Sequence, residues 1–123
     1  MVLKDHAGTD HTFIPRDVTG GVATTVLSTG VPIGEKTASF SVTRTATGKR
    51  KCLLKMALPV VQDVVVSGIS KPTVVRTSYM EASFNFDPTS STAERQDALA
   101  YLISFLKDTG QIAPLVEDLA APY

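Results

Sequence analysis

Between residues 37 and 59 apolar and polar side chains alternate with period two. Ala38, Phe40 and Val42 share one parity, and Cys52, Leu54, Met56 and Leu58 share one parity of the following run. Opposite them stand Thr37, Ser39, Ser41 and Thr43, then Lys51, Leu53, Lys55 and Ala57. Successive side chains of a strand point to opposite faces, so the pattern predicts a hairpin with one dry face and one wet face, turning around Thr47 and Gly48. Residues 22–27 (VATTVL) read as an earlier strand, opened by Gly20 and Gly21 and closed by Gly30, Pro32 and Gly34. Residues 1–4 and 11–14 are short strand candidates around a turn at 5–10, ended by Pro15. Pro59 is expected to interrupt the second strand of the hairpin, with residues 60–66 (VVQDVVV) continuing it. Residues 67–72 (SGISKP) read as a loop, and residues 74–86 as the last strand, with Met80, Ala82, Phe84 and Phe86 against Tyr79, Glu81, Ser83 and Asn85. That makes about six strands with connections too short for crossover helices, hence an antiparallel meander.

After Pro88 the period changes. Ser91 with Glu94 three positions on has the form of a capping box. Residues 93–108 then carry an apolar stripe at Ala98, Leu99, Leu102, Ile103, Phe105 and Leu106, with Gly110 as a stop. Residues 112–119 read as a second, shorter helix that tolerates Pro114 only in its first turn. Strands first and helices last give an α+β fold in one domain of residues 1–123, with a sheet region at 1–87 and a helical region at 88–123. A helix of about 16 residues is roughly 24 Å long. It leaves much of a five- or six-stranded sheet about 25 Å wide uncovered. The expectation is an obligate homodimer in which a partner's helices complete the roof over a joined sheet.

Composition then sharpens the picture. The formal charge is zero, from 12 basic and 12 acidic side chains, but the charges are segregated. Lys36, Arg44, Lys49, Arg50, Lys51 and Lys55 occupy a stretch without acids, whereas residues 87–123 hold Asp87, Glu94, Asp97, Asp108, Glu117 and Asp118 against Arg95 and Lys107. Cys52 is the single cysteine, so no intrachain disulfide forms, and its place on the dry face suits a buried thiol. No apolar run reaches the roughly 18 residues of a membrane span and no signal-peptide core opens the chain, so a cytosolic site of synthesis is expected. Asp5-His6 and Asp10-His11 repeat an Asp-His pair, but the spacing matches no metal-ligand signature and a solvated hairpin tip is the better reading. Residues 46–50 (ATGKR) fail as a phosphate loop because Thr43 stands where a glycine is needed and no Ser or Thr follows Lys49. No motif frames a catalytic nucleophile, so a small hydrolase working through His6 or His11 is a poor reading. No catalytic residue, metal or cofactor is expected.

The wet face is the candidate site. It collects Ser39, Ser41, Thr43, Lys51, Lys55, Tyr79, Glu81, Ser83 and Asn85. Lysines bind phosphates and hydroxyls donate to phosphate and sugar oxygens. An aromatic ring such as Tyr79 stacks an unpaired base. This mixture on an open sheet suits single-stranded RNA loops better than a duplex groove. An ordinary solvated face is the alternative, and a dimeric regulator that binds RNA without forming a shell is another.

Longer stretches then carry a resemblance. VLKDHAGTDHTFIPRD at the start, Gly20-Gly21-Val22-Ala23, TATGKRKCLLKMALP, Val75-Arg76-Thr77-Ser78-Tyr79, Phe84-Asn85-Phe86, Ser91-Thr92-Ala93-Glu94-Arg95 and the closing Ala121-Pro122-Tyr123 are similar, in order and spacing, to the coat proteins of single-stranded RNA bacteriophages, the leviviruses. The resemblance implies a capsid subunit whose interlocked dimers assemble in the host bacterial cytoplasm into an icosahedral shell, with the joined sheet facing packaged RNA. It also implies that a dimer binds a genomic hairpin, repressing translation and marking the RNA for packaging. Carried over by position, the RNA-binding residues are Val22, Ser39, Ser41, Thr43, Lys51, Leu53, Lys55, Tyr79, Glu81 and Ser83. Three of them depart from the family's pattern. Leu53 stands where better-known members place a hydroxyl in an adenine pocket, Thr43 where a member has Arg, and Glu81 at a position that is amide in one relative and acidic in another. The 67–72 loop corresponds to the segment around the shell's symmetry axes.

Overall fold

The computed structural model describes residues 1–28, 30 and 32–121, so Pro122 and Tyr123 of the closing motif lie outside the described residues. The chain divides into two compact units, residues 1–85 and 86–123. The first is all β. A two-stranded hairpin pairs β1 (Val2–Lys4) with β2 (Asp10–Thr12). A five-stranded sheet follows in the order β3-β4-β5-β6-β7, formed by Ile14–Thr19, Val22–Leu27, Lys36–Arg44, Arg50–Val66 and Ile69–Phe86. Each strand lies beside its sequence neighbour, and the registered pairs are antiparallel, which is the expected meander.

Three prolines explain where the strands differ from expectation. Pro15 does not end the first pattern: it sits in β3, a six-residue strand that the sequence reading lacked and that brings the described total to two plus five. β3 is an edge strand, where a residue without an N–H is tolerated, and its register with β4 shifts between Pro15 and Asp17. Pro59 does not interrupt β6 either. The β5 register ends with Thr37 opposite Ala57, so a missing donor two residues later breaks no bond to β5. The expected loop at 67–72 shrinks to Ser67 and Gly68, with φ of 53° and 79°. Two central residues with positive φ make the hairpin turn whose twist matches the flanking strands. Pro72 therefore lies inside β7, the other edge strand of the sheet.

Buried side chains are few in this unit. Phe13, Val26 and Ala38 are the buried hydrophobics, joined by Thr25, whose hydroxyl donates to the Ala38 carbonyl at 3.0 Å. The dry face is largely open in the single chain: Phe40 is 41% exposed, Leu54 43% and Val42 65%. Cys52 is half-buried on that same face, opposite Val42.

The second unit is helical. α1 spans Thr92–Leu106 and α2 spans Ile112–Glu117. Ser91 caps α1 by accepting the Glu94 N–H at 3.2 Å, and Arg95 ties the same end by donating to the Ser90 carbonyl and the Thr92 hydroxyl. The stop falls at Lys107 rather than Gly110, because the Lys107 N–H bonds back to Ile103 and the Asp108 carboxylate holds the Gly110 N–H at 2.8 Å. Pro114 occupies the first turn of α2, where its missing N–H costs nothing. Leu99, Tyr101, Ile103, Phe105 and Leu106 are exposed on α1. No described helix is long and apolar enough to cross a membrane.

Candidate nucleic-acid interface

Directly opposed residues of an antiparallel pair project to the same face. The register between β5 and β6 places Ser39 opposite Lys55, Ser41 opposite Leu53 and Thr43 opposite Lys51. The register between β4 and β5 adds Val22 opposite Ser41 and Thr24 opposite Ser39. Three rows result on one face: Val22, Ser41 and Leu53; Thr24, Ser39 and Lys55; Thr43 and Lys51. Val22, an even-numbered residue among odd-numbered ones, joins the polar face because of how β4 pairs. Its place needs no exception.

A cavity of about 600 Å³ opens on this face. Thr37, Ser39, Lys55 and Ala57 line it from β5 and β6, and Tyr79 and Glu81 line it from β7. The last strand thus brings its ring and carboxylate beside the Ser39–Lys55 pair. Ser83 continues the same alternation along β7 and is exposed. Val22, Ser41, Thr43, Lys51, Leu53 and Ser83 do not line the cavity; the first five lie on the neighbouring rows. Lys51, Lys55, Tyr79 and Glu81 are exposed, while Leu53 is half-buried. None of those four polar groups has a side-chain hydrogen bond or ion pair among the described residues, so their charges and donors are free for a ligand. The Thr43 hydroxyl points back to the Lys51 carbonyl at 3.5 Å, a long and weak bond.

Sequence reasoning missed Thr24, and it set Thr37 on the polar parity without counting it in the site. Residues 22–27 read VATTVL, which assigns no clear polar parity, and only the pairing to β5 puts Thr24 beside Ser39. The hairpin tip adds charge: Arg44 faces Arg50 directly, with Lys49 and Lys51 alongside. Like charges set opposite each other destabilise a ladder, and an anion relieves them.

The Asp-His repeats have a different fate. Across the β1–β2 hairpin His11 Nε2 donates to Asp5 Oδ2 at 2.9 Å, and Lys4 pairs with Asp10. The Asp5 carboxyl is held below its ordinary value of 3.8, first by that bond to His11 and then by the Thr9 N–H. These residues satisfy one another at the tip of the hairpin.

The family model of the levivirus coat protein matches residues 1–123, the whole chain. The chain belongs to the levivirus coat proteins. The capsid protein of Pseudomonas phage PRR1 is 46% identical over 109 residues, covering 87% of this chain and 83% of the relative. Among solved structures, the virus-like particle of bacteriophage ESE058 superposes with a TM-score of 0.89 at 20% identity, covering 100% of this chain and 96% of that one. The bacteriophage GA capsid protein gives a TM-score of 0.84 at 21% identity, covering 98% of this chain and 94% of that one. These superpositions carry the fold: an antiparallel α+β coat-protein architecture with two C-terminal helices. As a levivirus coat protein the chain is a structural component of the virion and not an enzyme.

Proposed function

We propose that this coat protein assembles as interlocked homodimers into an icosahedral shell whose inner, polar sheet face grips single-stranded genomic RNA. A dimer further binds an operator hairpin, repressing translation and selecting the genome for packaging. Assembly takes place in the host bacterial cytoplasm. The whole chain acts as one coat-protein domain, with residues 88–123 as the dimerisation region. Relatives of the same fold are solved as virus-like particles, which supports the shell.

One observation carries the RNA reading: the strand registers gather Ser39, Ser41, Thr43, Lys51 and Lys55 on one face, beside a cavity walled by Tyr79 and Glu81. The ammonium groups and hydroxyls suit a phosphate–ribose backbone, and the exposed ring suits a base. The dimer rests on the opposite face and on β7. Phe40, Val42 and Leu54 remain open to solvent in the single chain, and an 18-residue edge strand offers a row of unpaired backbone groups to a second copy. Expression of the chain alone, followed by negative-stain microscopy and extraction of the contents, tests both parts. Regular particles containing RNA are expected. Dimers that bind RNA without forming shells would refute the capsid half, and empty shells indifferent to RNA would refute the other.

A further inference from the structure

On the apolar face the pairs between β5 and β6 run Ala38–Met56, Phe40–Leu54, Val42–Cys52 and, last before the turn, Arg44–Arg50. Directly opposed residues share a face, so the two arginines extend the apolar rows and stand away from Thr43 and Lys51. Exposure climbs along β5 toward them, from 5% at Ala38 through 41% at Phe40 to 65% at Val42. The turn beyond is closed: the Thr45 N–H donates to the Lys49 carbonyl at 2.8 Å and the Gly48 N–H to the Thr45 carbonyl at 2.9 Å. Two like charges are thus held together on a short tip. Both are exposed, with no side-chain hydrogen bond or ion pair among the described residues. Such a pair weakens its ladder unless an anion sits against it. RNA gripped by the polar face lies on the wrong side of the sheet to be that anion.

Residues 87–123 carry six acids against two bases. Three of those acids are engaged within their own unit. The Asp87 carboxylate accepts from Thr89 and the Asp108 carboxylate from Gly110. Glu94 lies in the first turn of α1, where a negative charge suits the helix N-terminus. Asp97, Glu117 and Asp118 are exposed and have no side-chain hydrogen bond or ion pair among the described residues. We infer that the Arg44–Arg50 pair is an electrostatic clasp that receives these carboxylates from the helical unit of a second copy. The inference rests on the dimer reading and adds to it the contact that orients one copy on the other. A cover over Phe40, Val42 and Leu54 reaches the arginines at the end of the same rows, and an acidic cover is attracted there. Complementary patches fix register and reject wrong pairings more than they add affinity. A basic middle and an acidic end in a neutral chain then have a use: tips repel tips, helical units repel helical units, and only the crossed pairing is favourable.

The full chain is studied at a concentration where light scattering detects no particles, with dimers followed by sedimentation. Arg44→Gln combined with Arg50→Gln removes both charges and keeps the tip polar. At low salt these dimers should dissociate about tenfold more readily than the parent's, and the difference should close as salt rises. RNA affinity should be little changed. A charge exchange then identifies the partner. One variant carries Arg44→Glu and Arg50→Glu; another carries Asp97→Lys, Glu117→Lys and Asp118→Lys. Alone, each sets like against like and should dimerise at least about tenfold less well. Mixed, they should form heterodimers of near-parental stability, because both clasps are complementary again. Unchanged dissociation of the glutamine variant at low salt overturns the inference and leaves the dimer standing. Mixtures that dimerise no better than the separate variants, each folded by circular dichroism, overturn it as well. A glutamine variant that loses RNA affinity but keeps its dimers assigns the tip to RNA instead. A parent chain that forms no dimers sinks the dimer reading, and this inference with it.

Discussion

The two faces of the main sheet are built from the same strands one residue out of phase, and they differ in what they leave unfinished. On one face Phe40, Val42 and Leu54 stand open although they are apolar. On the other, Lys51, Lys55 and Glu81 stand open and carry charge without a counter-charge among the described residues. The first kind of exposure is resolved by burial, with roughly 25 cal/mol gained per Å² of apolar surface covered. The second is resolved by a ligand of opposite charge, and its strength depends on salt. On the proposed function a single alternation separates assembly from cargo, and a substitution at one parity should leave the other parity's task intact.

The largest test of that separation is Leu54→Asp. On a face covered by a second copy, an unpaired buried carboxylate costs about 3–5 kcal/mol. Sedimentation and microscopy should find no dimers and no particles. Intact particles from this variant would show that the face remains exposed, as it is in the single chain.

Tyr79→Ala comes next and addresses the other face. Loss of a stacked base should weaken RNA binding by about 1–3 kcal/mol while dimers and shells persist. Smaller again is Lys55→Ala. Removing one phosphate contact should lower the slope of log affinity against log salt by about 0.7–0.9, with little change in sequence preference. If both variants bind RNA as the parent does, the polar face is only an inner wall.

How much of this was legible beforehand differs along the chain. Residues 36–58 and 79–86 announce their faces because alternation with period two is intrinsic to a strand, and β5, β6 and the end of β7 follow it. Proline misleads in the same sequence. Pro15 and Pro72 lie on edge strands and Pro59 lies beyond the β5 register, so none deletes a bond that the ladder to β5 requires. The Ser67-Gly68 pair between two β-branched runs was a readable turn signal, obscured by Pro72 a few residues on. Register is a different matter. Nothing local in VATTVL specifies that Val22 meets Ser41, because pairing depends on a strand more than ten residues away. Val22 therefore entered through family resemblance, and the β4–β5 register now gives it a physical reason. The sequence already set Glu81 on one face with Lys55 and Ser39; the fold adds that the three line one cavity.

The smallest expected effect uses the β1–β2 hairpin, which pairs apart from the five-stranded sheet and serves as a control for both faces. Asp5 there is held below its ordinary value of 3.8, chiefly by the hydrogen bond from His11. A carboxyl whose folded value is depressed binds protons less readily folded than unfolded. Its contribution to the hairpin is therefore present above about pH 4 and is lost as the pH falls through the folded value. Amide exchange in residues 2–12 should accelerate over that acidic range. His11→Ala should move the Asp5 titration part of the way back toward 3.8, since the Thr9 N–H still donates to its carboxylate at 2.9 Å. The acid dependence of the hairpin should flatten accordingly. Because Asp5 is exposed and the half-buried His11 pairs within the hairpin, dimer formation and RNA affinity at neutral pH should be unaffected by the change. A variant that lost either property would mean that the hairpin takes part in one of the two faces after all.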